Sequence, residues 1–260
     1  MFSWSFFTDA LFHPSSQWMT GLWRTIYISV IAQALGVVFG LFIALARRSR
    51  LLPLRLLAAG YVWVLRGTPL LVQLVIVYNG LAAANVYRFK DVTVGPLSLA
   101  GVIQAAILTL ALNETAYMSE IIRAALGAVD TGQTEAAKAL GMTPAVTMRT
   151  VLLPQAARTV IPPLGNEFNL MMKSTSLLSV IGVQEMFLTA QSINSATFKT
   201  FEVFGAAALY YLVLTTIWGF IQGLIERKLG DPTLRNGRPT LRDRFFGMRG
   251  SEPRLMEGAR

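Results

Sequence analysis

DTGQTEAAKALGMTPAVTMRTVLLPQAARTVIPPL, residues 130–164, mixes polar and apolar residues between two long apolar stretches, and its punctuation reads as folded structure. Gln133 or Thr134 can open a short helix through Glu135, Ala136, Ala137, Lys138 and Leu140. Gly141 is placed to end it, because glycine enters the left-handed backbone region without penalty. Thr143 followed by Pro144 has the form of a second helix start: a capping hydroxyl, then a residue whose missing N–H costs nothing in a first turn. This piece runs to about Leu153, before Pro154. Two short helices joined at a glycine make a compact projection suited to a groove in another protein.

Outward from this stretch the chain is built for lipid. Of 260 residues 53% are hydrophobic and 14% charged, with a mean hydropathy of +0.51. Soluble domains carry about 25% charged residues, which argues against an ordinary soluble enzyme. A hydrocarbon core about 30 Å thick takes roughly 20 apolar helical residues to cross. Five stretches meet that length: about Leu22 to Ala46, an interrupted one from Leu56 to Ala84, Leu97 to Ile122, Val160 to Leu188, and Val203 to Ile225. The opening MFSWSFFTDALF is apolar but too short to span and lacks a basic flank, so residues 1–19 read as an outer segment with an interfacial helix, not a signal peptide. The spans and the projecting loop, about 130–154, occupy 20–229. Residues 230–260, rich in Gly, Pro and Arg, read as a disordered tail whose arginines meet anionic headgroups or simply serve solubility.

The net charge of +9 gives these spans a direction. Lys and Arg are enriched in cytoplasmic loops. Of the 23 basic residues, 17 fall in 47–55, in 123–158 and from 226 onward, and four, Arg24, Arg88, Lys90 and Lys199, fall on the other side. The N-terminus then faces out and the C-terminus in. This sorting by membrane side also argues against nucleic acid, which needs cations clustered on one polar face.

Much chemistry is absent. There is no cysteine, and the one histidine, His13, lies outside every span. A His-based zinc site or a Ser–His intramembrane protease therefore lacks its parts. No G-x-x-x-x-G-K-[ST] loop is present to cradle ATP phosphates.

What remains is a handful of ionisable and amide side chains at membrane depth, costly there and functional candidates by default. Arg66 stands in VLRGTPLLVQL, where Gly67 and Pro69 break the helix and free backbone groups that lipid cannot satisfy. Either Arg66 faces a water-filled cavity at the break, or the true span begins near Pro69 and Arg66 snorkels to headgroups. Asn113 and Glu114 are deep in LNETAYMSEIIRAAL, placed to meet a neighbouring helix or a solute; Glu120 has the i, i+3 spacing for an ion pair with Arg123. In IPPLGNEFNLMMKSTSLLSVIG the prolines make the start irregular, and Asn166, Asn169 and Lys173 recur at helical spacing beside Glu167. Such a polar stripe lines a pathway or hydrogen-bonds another helix. Gly36 and Gly40 form a GxxxG spacing for close helix approach.

Four ordered segments, RGTPLLVQL (66–74), LNETAYMSEIIRAAL (112–126), GQTEAAKALGM (132–142) and LPQAARTVIPPLGNEF (153–168), resemble the permease subunits of ATP-binding cassette importers, most closely the polar amino-acid subfamily. The likeness covers about residues 20–229 and implies an all-α integral membrane protein of about five spans in the bacterial inner membrane. It implies that Glu135, Ala136, Ala137, Leu140 and Gly141 form a coupling helix in a groove of a separate ATPase: Glu135 gives polar contact, the alanines allow close approach, and Gly141 sets the turn. The resemblance further implies two ATPase copies carrying ATP–Mg, a second permease in a homo- or heterodimer, and an external amino-acid-binding protein. This chain itself would hold no cofactor. For a zwitterionic solute, Glu167 would meet the ammonium group, Asn166 or Asn169 the carboxylate, and Arg66 would be a second partner for that carboxylate. The competing reading is a secondary transporter or channel for small polar solutes, which needs no ATPase.

Overall fold

The protein is described here from a computed structural model that covers residues 2–94 and 97–229; the Arg-rich tail lies outside the described residues. A short helix α1 (Trp4–Phe12) precedes α2 (Ser16–Arg47). The Ser15 hydroxyl accepts from Trp18 N at 3.3 Å, which starts α2 six residues before the apolar stretch does. At 1.5 Å per residue its 32 residues exceed the bilayer core.

The interrupted second stretch is a sharp break. α3 (Leu52–Gly67) and α4 (Leu70–Val75), with its continuation through a π-turn (Ile76–Gly80) into α5 (Leu81–Ala83), meet at 106°. Thr68 and Pro69 are extended at the corner, where the proline ring disfavours helical backbone in Thr68 and the absent N–H removes a helix bond. The third stretch was expected to begin at Leu97. Instead, Leu97–Leu99 is a strand, β2, paired antiparallel with β1 (Val92–Val94), Val92 opposite Leu99. The alternating Val92-Thr93-Val94 and Leu97-Ser98-Leu99 suit a pleated hairpin, and the helix α6 (Gly101–Gly127) follows it.

α6 packs on α2, α3, α4 and α9, so its Asn113, Glu114 and Glu120 are sheltered by protein rather than set against lipid. After it come α7 (Thr131–Ala139), α8 (Pro144–Thr147), a π-turn (Met148–Leu152) and α9 (Leu153–Ser174). Two sequence expectations fail in this region. The second helical piece does not stop before Pro154: the wide turn at 148–152 absorbs the missing donor and the helix runs on. Pro162 and Pro163 do not make the helix irregular either; α9 passes through both, with Gln222 Nε2 donating to Pro162 O at 3.2 Å and Trp218 Nε1 to Gly165 O at 2.8 Å.

The stretch expected as one span from Val160 to Leu188 also ends early. α9 gives way to a 3₁₀ segment (Thr175–Ile181), Gly182 turns the chain at φ +87°, and α10 (Met186–Thr197) starts a new direction. α11 (Thr200–Leu229) completes the fold. Among the described residues, α2 and α11 are long and apolar enough to cross a membrane alone, and the bent α3–α4 pair makes a third if it counts as one span.

Candidate functional site

The projecting loop is well built. The Asp130 carboxylate caps α7 by accepting from Gly132 N at 2.6 Å, so the helix begins earlier than Gln133 or Thr134 suggested. At its other end Met142 N donates to Ala137 O at 3.0 Å and Gly141 N to Lys138 O at 2.9 Å, with Gly141 at φ +73°. These two bonds around a left-handed glycine are a Schellman ending. Glu135, Ala136 and Gly141 are exposed, and Leu140 is 79% exposed, an apolar side chain that the described residues leave uncovered. Ala137 is buried and turns inward, so of the two alanines from which close approach was expected only Ala136 faces outward. Gln155 Nε2 donates to Gln133 Oε1 at 3.1 Å, tying α7 to the start of α9, while only 128–130 separate α7 from the end of α6. A push on α7 thus reaches two long helices directly.

The polar residues at membrane depth divide into two groups. Asn113 and Glu114 are committed to the fold. Asn113 Nδ2 donates to Leu65 O at 3.2 Å and to Gln73 Oε1 at 3.0 Å, while Gln73 Nε2 reaches Leu65 O at 2.8 Å and Thr68 O at 3.1 Å. Together these amides satisfy the carbonyls freed by the break at Pro69, as a lipid-embedded chain requires. Glu114 is buried and accepts from Gln33 Nε2 at 2.8 Å; Gly36 lies against it, and a side chain there would run into the Glu114 methylenes. The GxxxG glycines therefore seat α2 on α6 within one chain.

The second group is open. Arg66, exposed at the end of α3, lies over the Tyr117 ring at 5.1 Å, close enough for a cation–π contact, and within electrostatic reach of Glu167. On α9, Asn166 and Lys173 are exposed and Asn169 is half-buried beside them, whereas Gly165, Phe168, Met171 and Met172 face the core. The stripe read from spacing exists, and its Asn166 and Lys173 face away from this chain's own packing. Asn169 Oδ1 is buried without a hydrogen-bond partner, so one acceptor in the stripe stands unsatisfied. At the next level Glu120 pairs with Arg123 (Nη2 to Oε2 2.8 Å) and with Arg47 of α2, which closes an ion-pair cluster across α2 and α6.

Sequence reasoning passed over Gln73 and Glu185. Glu185 is fully buried, caps α10 through Leu188 N at 2.7 Å, and accepts from Tyr211 Oη at 3.0 Å. A lone acid inside an apolar stretch was the available signal.

Residues 36–231 match the family described as binding-protein-dependent transport system inner membrane component. The octopine transport system permease protein OccM of Rhizobium radiobacter is 40% identical over 238 residues, covering 88% of this chain and 94% of its own. The glutamine transport system permease protein GlnP of Escherichia coli K12 is 36% identical over 209 residues, covering 80% and 91%. Among solved structures, the crystal structure of an amino acid ABC transporter with histidines superposes with a TM-score of 0.74 at 40% identity, over 86% of this chain and 98% of that one. The MetNI methionine ABC transporter, 18% identical with a TM-score of 0.67, shares the fold.

Proposed function

Since the chain belongs to the family of inner membrane components of binding-protein-dependent transport systems, we propose that it is the translocating permease of an ATP-driven amino-acid importer, with α7 as the helix that docks on the ATPase. The carrying observation is α7 itself: a capped, Schellman-ended helix that presents Glu135, Ala136, Leu140 and Gly141 outward and is joined to both α6 and α9. A channel or secondary transporter has no use for such a part.

ATP–Mg binds and is hydrolysed on the separate ATPase, of which two copies serve a pair of permeases, identical or different. The α7 loop and the C-terminus lie in the cytoplasm, and the N-terminus and the β-hairpin outside, where the binding protein delivers its amino acid. Relatives carry names for octopine, glutamine, cystine and arginine transport, which supports a polar or charged amino acid as cargo. The ATPase alternates between two shapes, and only differential contact with α7 in those shapes can drive the membrane helices between two states. α6 and α9 carry the movement inward, and α9 turns its polar stripe toward the solute. Glu167 pairs with the substrate ammonium group, Arg66 with its carboxylate, and Asn166 and Asn169 supply amide contacts. Asn113 and Glu114 act from behind, by holding the break and the α2–α6 seam.

The test uses the permease copurified with its ATPase and binding protein and reconstituted in vesicles. Gly141→Asp is expected to leave ATP hydrolysis running while uptake falls. Uptake equal to that of the unaltered transporter would remove α7 from coupling, and uptake that persists without ATP would return the protein to the secondary-transporter reading. Separately, Glu167→Ala should cut both uptake and affinity; full retention of both would take Glu167 out of the site.

A further inference from the structure

Between α5 and α6, residues 84–94 and 97–100 leave the helical bundle and are stitched into a shelf. Asn85 takes a left-handed turn at φ 55°, and Val86 N and Tyr87 N both return to Leu81 O, at 3.0 and 3.2 Å. The Tyr87 and Phe89 rings meet edge to face at 4.9 Å. Gln104 Nε2, one turn into α6, donates to Lys90 O at 2.8 Å and to Leu99 O at 3.0 Å, clasping both arms of the hairpin. The result encloses an open cleft of about 500 Å³ lined by Asn85, Tyr87, Arg88, Lys90, Val92 and Gln104.

The charges on this shelf are unbalanced. Asp91, its one acid, is turned inward, where Oδ1 accepts from Gly101 N at 2.8 Å and caps α6. Arg88 and Lys90 are exposed and, among the described residues, have no ion-pair partner. The other two cations that the charge bias assigns to this side are occupied: Arg24 donates to Gln184 O at 3.0 Å, and Lys199 sits over the Phe6 ring at 4.3 Å. Beside the free pair, Val86 is 69% exposed and Tyr87 54%. Arginine and tyrosine around a small apolar centre are the composition of protein interfaces, where charge complementarity sets approach rate and register.

We propose that this cleft is a docking surface for an acidic face of a water-soluble protein, namely the solute-binding protein of the transport system; the inference rests on the import reading above. Lipid headgroups are the lesser candidate, because the shelf caps the N-terminus of α6, the helix that α2, α3, α4 and α9 enclose, and basic and aromatic anchors for headgroups belong on lipid-facing elements. The position also carries a consequence for signalling. α6 is one uninterrupted helix of 27 residues, about 40 Å long at 1.5 Å per residue, with the shelf on its first residue and α7 just past its last. A protein seated on Arg88 and Lys90 therefore bears on the same rod that ends at the ATPase helix.

The experiment uses the permease–ATPase complex in nanodiscs of two compositions, phosphatidylcholine alone and with phosphatidylglycerol added. It is titrated with the copurified solute-binding protein loaded with its amino acid, with ATP hydrolysis as the readout. For Arg88→Glu/Lys90→Glu, half-stimulation should need about tenfold more binding protein at low salt, with the difference shrinking in about 0.5 M salt. Basal hydrolysis and melting temperature should stay as they were, and Arg88→Gln/Lys90→Gln should fall between. Equal titration curves for all three proteins would overturn the docking surface, as would a shift that follows the phosphatidylglycerol content and is absent in phosphatidylcholine. If the unaltered complex answers to no binding protein at all, it is the import reading that fails.

Discussion

Two glycines with the same helical surroundings differ in what stands beside them. A Cβ on Gly36 would meet the Glu114 Cβ at 2.7 Å, in a seam with no slack, whereas one on Gly60 meets nothing within 4 Å. Gly36→Ala should therefore destabilise the protein by about 1–3 kcal/mol through overpacking, while Gly60→Ala should stabilise it by up to about 1 kcal/mol through helix propensity. Thermal unfolding of the two variants in one detergent checks the pair, and equal shifts would refute the assignment of the seam. The spacing of Gly36 and Gly40 was legible in the sequence. Their partner was not, because nothing local in either helix announces that Glu114 lies opposite Gly36.

At the scale of elements, the corner between α3 and α4 shows how far local reading reaches. Gly67, Thr68 and Pro69 announce a break from three adjacent letters. The groups that make it tolerable in a membrane come from elsewhere: Gln73 reaches back eight residues to Leu65 O, and Asn113 comes from 48 residues away. Gln73→Leu should cost about 1–3 kcal/mol by stranding buried carbonyls. Asn113→Leu should cost less when added to it than alone, since both amides serve the same corner. A double-mutant cycle by chemical denaturation measures this, and strict additivity would mean the two act independently. α9 teaches the converse. Two prolines in a row look like an interruption, yet neighbouring side chains of α11 brace the carbonyls around them, and no local pattern reveals that Trp218 and Gln222 are available. Local chemistry locates weak points; tertiary structure decides whether they give way.

The whole molecule is organised around α6. Composition and punctuation were enough to read a helical membrane protein with a projecting loop. They did not show that the helix richest in deep acids is the one enclosed by four others, because a span buried in protein and one open to lipid can share a hydropathy. The cluster of Glu120 with Arg47 and Arg123 ties α2 to the end of this helix nearest α7. Glu120→Gln would leave two guanidinium groups facing each other without their shared anion. The pair is only partly shielded from solvent, so the expected loss of stability is about 1 kcal/mol. Loss of coupling should be larger in proportion: uptake per ATP hydrolysed should fall in reconstituted vesicles, and an unchanged ratio would show the cluster to be structural alone.

Among the described residues, apart from Gly141's own chain neighbours, nothing comes within 4 Å of a Cβ position on Gly141, so the end of α7 owes its form to its own backbone bonds. The loop has thus already given up the freedom that a disordered segment would surrender only on contact. Association with the proposed ATPase partner would then spend little of its favourable free energy on ordering this surface. An interface of the proposed kind could be broken and re-formed in every transport cycle without refolding the part that makes it.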